Sequence, residues 1–157
     1  MVRKNMICIM RKMSLQMLDD YSFKFIIDGK DIKTKDDFLN IMSKHFEFPK
    51  FDKDGTCCLD GYIDFMTDLF WLDLKYGKFD DKLGDFDYSY GKFDNICLVI
   101  KNYNKLFNGN IEDIYFYIIE IFSQDILGFW DEEVFKLNKD INDFKKFNVY
   151  LVEELIQ

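Results

Sequence analysis

Three aspartates, Asp60, Asp64 and Asp68, recur every fourth residue within the stretch from Asp60 to Leu72. On a helix that interval stacks their carboxylates into a single stripe, with Leu59, Ile63, Met66 and Phe70 as an apolar stripe beside it. One face then enters a core while its neighbour stays wet and negative. Like charges at this spacing cost an isolated helix about 0.2–0.5 kcal/mol per pair, so local helix stability does not explain them. Either the face is simply solvated, or it meets a cationic partner. General acid and base work needs two carboxylates in unlike environments, and three on one exposed face are alike.

Other residues with chemical potential give less. Asp52-Lys53-Asp54-Gly55 followed by Asp60-Gly61-Tyr62-Ile63-Asp64-Phe65 looks like a calcium-binding EF-hand loop cut in two. Thr56 to Leu59 interrupt the ligand positions, and Thr67 stands where the bidentate glutamate belongs. His45 is the sole histidine, near the expected C-terminus of a helix, where its partial charge is favourable. No serine or cysteine nucleophile motif points to it, so a structural role is expected and the chain is read as no enzyme. Cys8, Cys57, Cys58 and Cys97 have neither disulfide-framework nor zinc spacing, as reduced thiols in a cytoplasm would. Neither cofactor nor metal is expected.

The elements that must hold the acidic stripe follow from composition and pattern. The chain has 157 residues, nearly half hydrophobic, with 18 phenylalanines, enough for one domain with an aromatic core. A net charge of -8 without clustered Lys and Arg argues against a nucleic-acid binder and suits docking on something basic. No apolar run reaches the length of a membrane span, and a monomer is expected.

Residues 1–20 read as a leader, either loosely held or preceding a later start such as Met13; residues 21–157 form the domain. Ser22 to Ile27 is a strand ending at the turn Asp28-Gly29. Thr34 and Asp37 resemble a capping box opening a helix through Phe38, Leu39, Ile41, Met42 and Phe46, with Pro49 just past its end. The loop 51–58 feeds the acidic helix. A long segment, 73–95, repeats Tyr-Gly-Lys-Phe-Asp at 76–80 and 90–94 and reads as a loop or hairpin with Leu83-Gly84-Asp85 at its tip. Ile96 to Ile100 is an unbroken apolar strand expected to be covered on both faces. A second helix opens at Asn110, runs to about Gln124, and continues in apolar character to Trp130. Residues 131–146 are charged and without a clear pattern, Phe147 to Val152 is a closing strand, and Glu153 to Gln157 is a tail. Strands alternating with helices imply crossovers and a small parallel sheet.

The residues 25–38, Phe48-Pro49 before the loop, and Asp60-x-x-x-Asp64 followed by Asp68-Leu69-Phe70-Trp71-Leu72 resemble the barstar family of intracellular ribonuclease inhibitors. The similarity spans roughly 23–152, with its distinctive motifs in 23–72. It implies an α/β fold, a three-stranded parallel sheet flanked by helices, whose second major helix and preceding loop plug a microbial ribonuclease active site. The partner would be a basic extracellular-type ribonuclease or related nuclease toxin, with no nucleic acid and no membrane bound. Asp60 and Asp64 match the two family aspartates that face the enzyme's catalytic pocket, and Phe51 lies near an aromatic of the family's binding loop. Cys58 stands where the family has Asn, and Gln124 where it has Glu, with Glu120 and Asp125 close by. The expected partner-binding set is thus Phe51, Cys58, Asp60, Tyr62, Asp64, Thr67, Asp68 and Gln124. The other readings left open are a barstar-shaped interaction domain for a different partner and the broken calcium loop.

Overall fold

The structure, a computed structural model, describes residues 5–18, 22–48, 58–68, 95–134 and 146–156. Four strands, β1 (Ile7–Ser14), β2 (Ser22–Asp28), β3 (Asn95–Lys101) and β4 (Lys146–Ile156), form one sheet in the order β1-β4-β3-β2, every pair parallel. Strands do form at the three places the sequence marks, but the sheet is four-stranded. The fourth comes from the expected leader, whose Ile7-Cys8-Ile9-Met10 adds to the edge of β4. Its entry is fixed by side chains: Asn5 Oδ1 accepts from the Phe147 amide at 2.8 Å, and the Met6 amide donates to Asn148 Oδ1 at 3.2 Å. The expected tail is corrected for the same reason. With Lys12, Met13 and Ser14 aligned to Glu154, Leu155 and Ile156, β4 continues to Ile156.

Alternation divides the sheet between two cores. Ile96, Leu98 and Ile100 of β3 and Phe147, Val149 and Leu151 of β4 join the larger, helix-covered core. Cys97 and Val99 face the smaller one with Val152, Met13 and Leu18. Ile96 to Ile100 are all buried, as an unbroken apolar run on a central strand requires.

Helix α1 (Lys35–His45) begins at the capping box: the Asp37 amide donates to Thr34 Oγ1 and the Thr34 amide to Asp37 Oδ2, both at 3.1 Å. It buries Phe38, Leu39 and Met42. Helix α2 spans Leu59–Asp68. A longer helical stretch, α3 (111–134), opens on an Asn110 side chain that accepts from the Asp113 amide. Its apolar positions Ile114, Ile118, Phe122, Ile126 and Trp130 recur at a strict four-residue interval, and all are buried. A turn of 3.6 residues would rotate that stripe by about 40° at each step. The backbone instead takes the wider i→i+5 winding over Ile114–Ile126 and Trp130–Val134, which rotates the other way, with a tighter turn at Leu127–Phe129. This also carries the helix ten residues beyond Gln124. Phe147 sits where the layers meet, with Phe46 at 6.0 Å, Trp130 at 5.4 Å and Phe122 at 6.2 Å between ring centroids.

Candidate partner-binding site

Helix α2 is pinned by α1 and α3. Tyr62 and Met66 are fully buried, and Leu59, Ile63 and Phe65 pack partly against the same core. The Tyr62 ring meets Phe38 of α1 at 5.6 Å and Phe122 of α3 at 6.4 Å, both edge to face. Near the helix end, the buried indole Nε1 of Trp130 donates to the Met66 carbonyl at 2.8 Å. The last carbonyls of a helix lack intrahelical partners, so this bond both satisfies one of them and ties α2 to α3.

Asp60 and Asp64 lie on the opposite side, exposed, and make no ion pair among the described residues. The expected stripe is therefore present at these two positions. Asp68 ends the helix, with its side chain outside the description. Tyr62 is corrected: it is core, and a partner cannot reach it. The sequence holds the signal, since two residues along an α-helix is about 200° of rotation, which turns position 62 away from both aspartates.

Two further expected contacts are occupied within the helix. Cys58 stands at the N-cap, where its carbonyl accepts from the Tyr62 amide at 2.9 Å and its Sγ accepts from the Gly61 amide at 3.4 Å. Sulfur is a weak acceptor, so this does an Asn's capping work less well. The Thr67 hydroxyl lies within reach of the Ile63 and Asp64 carbonyls at 3.1 and 2.9 Å, and its single proton is used there. Gln124 is exposed on α3, two residues from Phe122, and no hydrogen bond or ion pair among the described residues links it to α2. Phe51, the interrupted calcium loop from Asp52 to Gly55, Cys57 and the segment from Asp73 to Asp94 lie outside the described residues.

A second aspartate environment lies at the C-terminal ends of β2 and β3. Asp28 Oδ1 accepts from Asn102 Nδ2 at 2.8 Å and from the Lys30 amide at 3.1 Å, while Lys30 and Lys101 ammonium groups lie 3.6 and 3.9 Å from Oδ2. Burial pushes this carboxyl up, but the Asn102 bond, the Lys30 amide and the two cations outweigh it and hold it below its ordinary value. The neighbouring Gly29 permits the close approach, because a Cβ there would lie 2.4 Å from the Asn102 carbonyl oxygen. This cluster joins the ends of two strands.

His45 closes α1, as expected, yet its imidazole is held below its ordinary value, by partial burial first and the adjacent Lys44 ammonium second. The favourable helix-end charge expected for it is outweighed. Among the described residues no group of three or more His, Cys, Asp or Glu is placed to hold a metal ion, and no helix is long and apolar enough to cross a membrane.

Comparison of the chain with protein-family models, with curated proteins and with solved structures finds no match in any of the three.

Proposed function

We propose that this protein is a non-enzymatic inhibitor, an antitoxin or immunity protein, that blocks a basic microbial ribonuclease by setting Asp60 and Asp64 where RNA phosphates would sit. The observation that carries the reading is a pair of exposed carboxylates, without an ion pair among the described residues, on a helix whose reverse side is locked by Tyr62, Met66 and the Trp130 bond. A ribonuclease pocket presents Arg, Lys and His to phosphate, and a carboxylate fixed on a rigid helix meets those cations without offering a bond to cleave. The net charge of -8 speeds encounter with a basic enzyme, the more so at low salt. No cofactor enters this mechanism.

The test is inhibition of a barnase-type ribonuclease by the purified protein and by its Asp64→Ala variant. Truncating one member of a desolvated charge pair weakens affinity by about thirtyfold or more, about 2 kcal/mol, so the variant loses inhibition while keeping its fold. Equal inhibition by both proteins removes the role of Asp64. A different basic partner is the second reading. It is favoured by Cys58, Tyr62 and Thr67, three expected contact residues that are committed to α2 or the core. A wild-type protein that fails to inhibit any such ribonuclease, yet binds another basic protein through Asp64, would establish it.

A further inference from the structure

β1 is an edge strand, with β4 on one side and no strand on the other among the described residues. Beside it lies a cavity of about 440 Å³, lined by Ile9 of β1, by Tyr103, Asn104 and Gly109 of the turn after β3, and by α3 residues including Ile111 and Tyr115. Among the described residues no lining side chain is charged, in a chain where 32% of residues are. Ile9, Ile111 and Tyr115 remain 53%, 79% and 57% exposed, which is costly apolar surface to leave in water.

The cavity wall is held open. Phe107, Asn108 and Gly109 have φ of 54°, 56° and 78°, three successive left-handed residues, two of them not glycine. Such a backbone persists only where its surroundings fix it. Here the Phe107 ring is buried against Phe38 and Tyr117, and its amide donates to the Ile32 carbonyl at 2.9 Å. These contacts fix the turn from which Gly109 lines the cavity.

An open strand edge next to an uncharged cavity is the geometry of strand addition, in which main-chain bonds give affinity and a side-chain pocket gives specificity. Arg11 follows Ile9 by two residues, exposed and without an ion pair among the described residues. Lys12, next to it, is aligned with Glu154 of β4. A second copy of β1 would bring another Arg11 and Lys12 to the same edge, so self-pairing is disfavoured.

We propose that the β1 edge binds an extended segment of another protein, seating one bulky apolar side chain in the cavity beside Ile9 and an acidic residue two or three positions away against Arg11. A random nine-residue peptide library selected on the wild-type protein and counter-selected on Tyr115→Ser tests it, with Ile9→Thr as a second pocket variant and thermal melts confirming that both fold. Enriched peptides should pair an apolar with an acidic residue at that spacing, bind wild type at micromolar Kd, and weaken at least tenfold with either pocket variant. Arg11→Glu should turn the acidic preference basic. Enrichment that ignores both pocket variants, or an unchanged preference with Arg11→Glu, overturns the proposal. A wild-type dimer in sedimentation that Tyr115→Ser dissociates would assign the edge to self-association and overturn it as well.

Discussion

Asp28 accepts from an amide side chain at 2.8 Å and lies within 4 Å of two ammonium groups, whereas Asp60 and Asp64 stand exposed on α2 with no ion pair among the described residues. The same carboxylate is used in one place to join strand ends and in the other is left available. Around Asp28 the described contacts are two hydrogen bonds and two cations, so its charge is compensated within the fold. Around α2 the complementarity is on the reverse side, where Tyr62, Met66 and Trp130 supply packing and a hydrogen bond, and the charged side has no ion pair among the described residues. Rigidity without internal charge compensation is what separates the proposed docking face from the structural ion pair.

Four substitutions can break that contrast. Trp130→Ala removes the largest fully buried side chain among the described residues and orphans the Met66 carbonyl, so it should lower unfolding free energy by about 3–5 kcal/mol in denaturant titration. Trp130→Phe keeps most of the packing but not the bond; it should cost less and still weaken ribonuclease binding if the fixed position of α2 matters. A Trp130→Phe protein with wild-type affinity would show that the anchoring is structural only.

Asp28→Asn should come next, destabilising by about 1–2 kcal/mol while leaving affinity at the acidic helix unchanged. It also has a pH signature. Because the folded carboxyl titrates below its ordinary value of 3.8, its contribution is fully present above that pH and is lost as pH falls below it through the lower folded value. Melting temperature of the wild type should therefore decline more steeply in that acid window than that of Asp28→Asn. Parallel acid profiles for the two proteins would deny Asp28 its structural role.

The smallest stability effect should come from Asp64→Ala, and with the opposite sign. Relief of repulsion from Asp60 and the higher helix propensity of alanine should raise stability by about 0.5 kcal/mol, even as inhibition is lost. A residue whose removal stabilises the fold and abolishes binding is one retained for binding. If Asp64→Ala instead melts earlier, the carboxylate is serving the fold and the contrast with Asp28 collapses.

Local pattern made much of this legible. The Thr34 and Asp37 capping box, the buried run from Ile96 to Ile100 and the carboxylate interval of Asp60 and Asp64 depend on neighbours within one turn or one strand, so sequence spacing alone determines them. The orientation of Tyr62 was also encoded, in its angular offset from the two aspartates, and needed only the helix to be drawn as a cylinder. Other features rest on contacts between distant parts of the chain. Ile7–Ser14 becomes a strand because β4 offers it an edge and Asn5 and Asn148 lock the register, which no property of the segment itself announces. The Trp130 bond joins residues 64 positions apart, and the cavity beside Ile9 draws on β1, the turn after β3 and α3 together. Short-range periodicity fixes which side of an element is apolar; only the packed sheet decides which edges stay open and which carboxylates find a cation.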